Sequence, residues 1–238
     1  MKLRRRFVSK IKVLLADDHA VVRQGFRKLL EQESDLEVVA EAGDGEEAVK
    51  LATEFSPDVA IIDIAMPKLD GIEATRQIKA RCSGTNVLIL SAYDDSQFVF
   101  SLLEAGASGY LLKGVHGREL VAAIRAVHEG ESVLHPSIIG KILSRSPYTS
   151  STPGGQESSG VLSEREAEIL KLMTGGLSNK AIAAALELST RTVQGHMSQI
   201  FHKLGVGSRT EALVLALKEG WVTLDDVVQV GSPKIQTV

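Results

Sequence analysis

The 238-residue sequence has one cysteine, Cys82, so it can close no internal disulfide and build no cysteine-rich zinc site. That scarcity points to a reducing compartment, and a cytoplasmic location is predicted. No apolar stretch approaches the ~18 residues that span a bilayer, so no membrane partner is expected. The basic opening Met1-Lys-Leu-Arg-Arg-Arg6 imitates the start of a secretion signal. Lys10, Lys12 and Asp17-Asp18 break the apolar segment that such a signal would need. Strong charge of one sign is also missing, since the formal net charge is -3. With 44% apolar and 24% charged residues, the composition is that of an ordinary folder of one or two domains.

The small net charge hides an uneven distribution. Residues 1–10 carry five basic and no acidic side chains, residues 11–135 carry 12 basic and 21 acidic ones, and residues 160–222 carry seven and six. An acidic body repels phosphates, so any nucleic-acid binding is expected of the second part of the chain.

Between Ile11 and Glu129, short Val-, Ile- and Leu-rich runs alternate with segments of helical period. Strands are predicted at 12–16, 36–42, 59–64, 87–91 and 109–112. The first helix should present Val22, Phe26, Leu29 and Leu30 on one face, and the second Ala48, Leu51, Ala52 and Phe55. Further helices are expected near 71–79, 96–106 and 115–129. The expected fold class is α/β: five βα units forming a doubly wound parallel sheet over residues 11–130. Residues 131–160 read as a linker, of which 144–160 is dense in Ser, Gly and Pro. Residues 161–222 should form a second, all-α domain of four helices at 163–173, 178–186, 190–204 and 208–219, leaving 223–238 as a tail. Ser163 and Glu166 have capping-box spacing, Ser178 and Ser189 or Thr190 are later caps, and Gly175-Gly176, Gly205 and Gly207 are stops.

Three acids fall at the carboxyl ends of neighbouring predicted strands: Asp17 and Asp18 after the first, Asp63 ending the third. Converging carboxylates repel each other unless a proton or cation intervenes, and a hard divalent ion, Mg²⁺ or Mn²⁺, answers that need. Ser91 and Lys113, closing the fourth and fifth strands, add the hydroxyl and ammonium that phosphoryl oxygens require. A single Asp at a strand end is as readily a helix N-cap; the joint placement of five such positions is what that reading does not supply.

Asp17-Asp18, Asp63-Ile-Ala-Met-Pro67 with Asp70-Gly71, Ser91-Ala92 and Tyr110-Leu-Leu-Lys113 resemble the motif set of bacterial response-regulator receiver domains. The resemblance implies a flavodoxin-like fold and a phosphoryl group accepted by Asp63 from a sensor histidine kinase. It also implies a metal held by Asp18, Asp63 and the Ala65 carbonyl, with Asp17 assisting. Ser91 and Tyr110 would be the switch pair, and Lys113 would pair with the phosphorylated site. One departure is Gly114, where many receivers have proline.

Two rivals are weighed. Gly43-Asp-Gly45-Glu-Glu-Ala48 matches a dinucleotide-binding fingerprint, with Asp63 about 20 residues beyond Gly43. Asp44, Glu46 and Glu47 would crowd a pyrophosphate with three like charges, so a turn and an acid-capped helix is the preferred reading. A phosphatase using Asp63 as nucleophile would want a second acid at residue 65, which is alanine.

Leu177 to Val193 reads as a short helix, a tight turn and the start of a second helix. Ile182, Ala183, Leu186, Leu188, Val193, Met197, Ile200 and Leu204 supply an inner face, leaving Lys180, Arg191, Thr192, Gln194, Ser198, Lys203 and Arg209 outside. By composition alone a generic helical bundle fits equally. Leu162-Ser-Glu-Arg-Glu166, Gly176-Leu-Ser-Asn-Lys180, Ser189-Thr-Arg-Thr-Val193 and Lys203 to Ala212 resemble the LuxR-type DNA-binding domain. Joined to a receiver, the chain resembles a NarL/FixJ-type response regulator. The resemblance implies a recognition helix at 190–204 bearing Thr192, Gln194, Gly195 and Ser198. It implies phosphate contacts from Lys180, Arg191, Lys203 and Arg209, and a last helix that pairs two copies as a homodimer on double-stranded DNA. The expectation is a DNA-binding regulator and not an enzyme, with a constitutive regulator whose receiver ignores phosphorylation as the alternative.

Overall fold

The computed structural model describes residues 10–92, 101–134, 162–219 and 221. The predicted helix near 96–106 lies partly outside these residues, as do most of the linker and the tail from 223 onward.

In the first domain the elements run β1 (Ile11–Ala16), α1 (Ala20–Leu30), β2 (Leu36–Ala42), α2 (Gly45–Phe55), β3 (Val59–Ile62), α3 (Gly71–Arg81) and β4 (Asn86–Ser91). A helical segment at 101–104 (α4), β5 (Gly109–Leu112), α5 (Gly117–His128) and β6 (Val133–Leu134) follow. The sheet has the order β2-β1-β3-β4-β5-β6 with every pairing parallel. Strand periodicity divides the core in two. Leu14, Ala16, Ala60, Ile62, Val87, Ile89 and Tyr110 face α2, α3 and α4. Their alternates Val13, Leu15, Val59, Ile61, Leu88, Leu90 and Leu111 face α1 and α5. Burial on both faces is why these runs read as continuously apolar.

Three differences from expectation have local causes. β3 stops at Ile62, so Asp63 begins the following loop. A sixth strand, β6, pairs Val133 with Gly109 and Leu134 with Tyr110, taking in residues expected in the linker; two residues are too short a run to show a period. Phe55, expected on the buried face of α2, is 40% exposed at the last turn, where Ser56 ends the helix in the left-handed region.

The second domain contains α6 (Glu164–Thr174), α7 (Asn179–Ala185), α8 (Thr190–Leu204) and α9 (Arg209–Lys218). The Ser163 hydroxyl accepts from Glu166 N while the Glu166 carboxylate accepts from Ser163 N, completing the capping box. Ser178 and Ser189 cap α7 and α8, and Gly205 ends α8 with φ 67°. Ile169, Leu170, Met173, Ile182, Val193, Met197 and Ile200 form its core, with Leu186, Leu188 and Leu204 packed around them. No helix among the described residues is long and apolar enough to cross a membrane.

Candidate functional site

Strand order reverses between β2-β1 and β3-β4, and the carboxyl ends of β1 and β3 open the crevice where a sheet of this kind receives ligands. Backbone bonds fix the acids there: Asp17 N donates to Ala42 O at 3.2 Å and Asp63 N to Ala16 O at 2.9 Å. Lys113 N donates to Ser91 O at 2.7 Å, bringing the ends of β4 and β5 to the same rim.

Asp17 and Asp63 are each only 4% exposed, so their charges cannot rely on water. Lys113 Nζ lies 2.7 Å from Asp17 Oδ2 and 2.8 Å from Asp63 Oδ2. Burial pulls the Lys113 ammonium down, but hydrogen bonds to Asp17 and Asp63 outweigh it and hold the group above the usual lysine range. The other oxygen of Asp63 accepts from Ile64 N at 2.8 Å. Ser91 is buried at the end of β4, and Tyr110 lies within the core one residue into β5. Ala65 is exposed on the loop after β3. The structure thus gathers Asp17, Asp18, Asp63 and Lys113 at one place, with Ser91 on the same rim. One ligand atom from each of Asp17, Asp18, His19 and Asp63 lies within 4.8 Å of the others. Such a donor set, with its acids already drawing in one ammonium, fits a divalent cation.

Two neighbours were missed from sequence. His19 directly follows the acid pair, which was the available signal, and its Nδ1 lies 2.6 Å from Asp18 Oδ1. Arg23, one turn into α1, donates from Nη1 to Asp17 O at 2.6 Å; nothing in helical periodicity singles it out.

The dinucleotide-like motif has a packing role instead. Asp44 caps α2 by accepting from Glu47 N at 2.9 Å and pairs with Lys68 Nζ at 2.5 Å. A Cβ on Gly45 would stand 2.0 Å from Leu69 O, so this glycine lets the helix approach the β3–α3 loop.

In the second domain Lys180, Arg191, Thr192, Gly195, Ser198 and Lys203 are exposed and Gln194 is half-buried. Lys203 Nζ is 2.7 Å from Glu166 Oε2, and that bond, followed by the Ser163 amide, pulls the Glu166 carboxyl down to about 2. Arg209, expected outside, is instead buried. Its Nη2 donates to Met173 O at 2.7 Å and Leu177 O at 2.5 Å, and burial pushes its guanidinium down to about 10. The carbonyls that end α6 and lead into α7 claim it, which polarity alone could not foretell.

Among the described residues the domains touch at two places. Asn179, at the start of α7, donates from Nδ2 to Glu129 O at 2.7 Å, and Gln194 Nε2 on α8 lies 3.5 Å from the same carbonyl. At the second place, Thr210 Oγ1 donates to Ala107 O, and Val214 of α9 joins the first domain's apolar core.

Comparison with known proteins bears on both domains. A family model described as the response regulator receiver domain matches residues 13–125, and one for bacterial regulatory proteins of the luxR family matches residues 160–216. The transcriptional regulatory protein DegU of Brevibacillus brevis is 39% identical over 226 residues, covering 90% of this chain and 96% of that protein. The transcriptional regulatory protein LiaR of Bacillus subtilis (strain 168) is 43% identical over 206 residues, covering 87% of this chain and 96% of that protein. A crystal structure of a LuxR-family two-component response regulator from Aurantimonas sp. SI85-9A1 is 40% identical with a TM-score of 0.54 over 57% of this chain and 97% of that one.

Proposed function

The chain belongs to the NarL/FixJ family of two-component response regulators, and from that premise we propose that Asp63 accepts a phosphoryl group from a sensor histidine kinase to control DNA binding. The observation that carries this reading is the convergence of Asp17, Asp63 and Lys113 at the switch point of the sheet. Asp63 Oδ2, oriented by Lys113, attacks the phosphorus; the bond to the kinase's histidine nitrogen breaks, leaving an acyl phosphate on Asp63 and the histidine free. Asp18, Asp63 and the Ala65 carbonyl, with Asp17 assisting, would hold Mg²⁺ or Mn²⁺, which would supply charge neutralisation for the incoming phosphoryl oxygens. Lys113 then follows the new charge, and the Ser91 hydroxyl donates to it. Tyr110 lies in β5 three residues after Ala107, so a shift at this strand reaches the carbonyl that holds Thr210.

In the second domain Lys180, Arg191 and Lys203 meet phosphates, and Thr192, Gln194, Gly195 and Ser198 face the major groove. Arg209 is buried between α6 and α7 on the Met173 and Leu177 carbonyls and does not contact DNA. With Gln194 and α9 engaged by the first domain, the contacts described above hold a closed form, and phosphorylation frees α9 to pair two copies. A regulator acting on the chromosome works in the cytoplasm.

Incubating the full chain with acetyl phosphate and Mg²⁺ is expected to add one phosphoryl group, measured as intact mass. Asp63→Ala is expected to add none, and uptake by that variant would overturn the assignment. A DNA footprint with and without acetyl phosphate tests the output: an identical footprint in both arms would favour the constitutive alternative.

A further inference from the structure

His19 occupies the N-cap position of α1, where Ser, Thr, Asp or Asn usually satisfies the first amides, yet its side chain makes no capping bond. It turns to the acids instead. Nδ1 lies 2.6 Å from Asp18 Oδ1 and 3.4 Å from Asp17 Oδ1, while the His19 amide donates to Asp17 Oδ1 at 2.9 Å. Asp17 is therefore held from two sides, by Lys113 on Oδ2 and by His19 on Oδ1. The imidazole is 67% exposed, so an ion-pairing role alone would be worth little in water. That exposure also keeps a path from solvent open.

The geometry points to His19 as a nitrogen ligand of the cation in this crevice, making it a mixed nitrogen and oxygen site that prefers a transition divalent ion of the Mn²⁺, Co²⁺ or Zn²⁺ class over Mg²⁺. The inference rests on the cation reading above and adds a ligand and a selectivity to it. Its support is the mutual proximity of four donor atoms, three carboxylate oxygens and one imidazole nitrogen, all within 4.8 Å. Mg²⁺ favours all-oxygen shells and gives up its water reluctantly. Imidazole suits transition ions, whose affinity for a nitrogen-containing set rises along the first row toward copper and falls back at zinc. A bond to the ion would use the Nδ1 lone pair of the neutral imidazole, in the tautomer whose other ring nitrogen carries the hydrogen. Lys113 lies on the Oδ2 atoms of Asp17 and Asp63 while His19 lies on Oδ1 of Asp17, so the ammonium and the imidazole do not contend for the same carboxylate oxygen.

The test is Mn²⁺ alone added to the full chain, followed by pulsed electron paramagnetic resonance, with Mg²⁺ as competitor. The wild type is expected to show nitrogen coupling to Mn²⁺. His19→Gln should lose that coupling, and its preference for Mn²⁺ over Mg²⁺ should fall about tenfold. Asp18→Asn should weaken both ions together. Nitrogen-free Mn²⁺ in the wild type, or coupling and selectivity unchanged in His19→Gln, overturns the ligand assignment and leaves the crevice a cation site. Mn²⁺ binding that is absent, or that survives unaltered in both Asp18→Asn and Asp63→Asn, overturns the cation reading itself.

Discussion

Lys113 Nζ stands 2.8 Å from Asp63 Oδ2, so the acid proposed to accept the phosphoryl group is already paired with a cation belonging to the protein. Because its pKa is raised, this ammonium stays charged, and its contribution stays constant, until pH climbs past the ordinary lysine value of 10.5. Replacing it as Lys113→Met leaves two buried carboxylates without their partner. We expect a loss of about 1–3 kcal/mol in urea unfolding at neutral pH. Adding Mg²⁺ should restore much of it, and chelating the ion should remove it again.

Gly71 permits a close approach at the same site. A Cβ there would sit 2.2 Å from Asp63 O, and backbone cannot yield as a flexible side chain would. Gly71→Ala is predicted to cost roughly 1–3 kcal/mol and to slow acetyl phosphate uptake. Gly25 is the contrasting case: it is exposed in α1, and a Cβ there meets nothing within 4 Å. Gly25→Ala should raise stability by about 0.5–1 kcal/mol, measured by the same unfolding curves.

Acid should expose the second domain first at Glu166. Its carboxyl is held down to about 2 by Lys203 and the Ser163 amide, against an ordinary value of 4.5. The stabilisation is present in full above 4.5 and is lost as pH falls from there toward 2. Thermal melting between pH 6 and 2 should show this loss. Glu166→Gln should flatten the profile in that window while lowering the melting temperature at neutral pH.

Contact between the domains is testable at Thr210. Thr210→Val keeps the shape and removes the donor to Ala107 O. Losing one buried bond of this kind costs about 1 kcal/mol, or roughly a fivefold shift toward the open form. Amide exchange along α9 should accelerate accordingly, and unaltered exchange would show that the contact does not hold the helix.

The receiver's sheet was legible because each strand is buried on both faces and so carries its identity in a few Val, Ile and Leu residues. The meeting of Asp17, Asp18, Asp63, Ser91 and Lys113 at one rim was legible because the carboxyl ends of parallel strands open on the same side of a sheet. The contributions of Arg23 and His19 were not, since a loop or first-turn side chain reveals its direction only once the chain is folded. Arg209 shows the converse: a charged residue is read as surface until backbone carbonyls from another helix require it inside. The Asn179 and Thr210 contacts join residues separated by 50 and 103 positions, a relation that no local pattern encodes.

Val214 lends its side chain to the apolar interior of the neighbouring domain. A fragment ending before the linker would therefore uncover a greasy notch in the first domain, and its partner fragment would display the matching valine to water. The two halves, expressed apart, should each be stickier than the whole and should recombine when mixed. Any separation of the two domains accordingly wets a small hydrocarbon surface, and burying it again favours the joined arrangement.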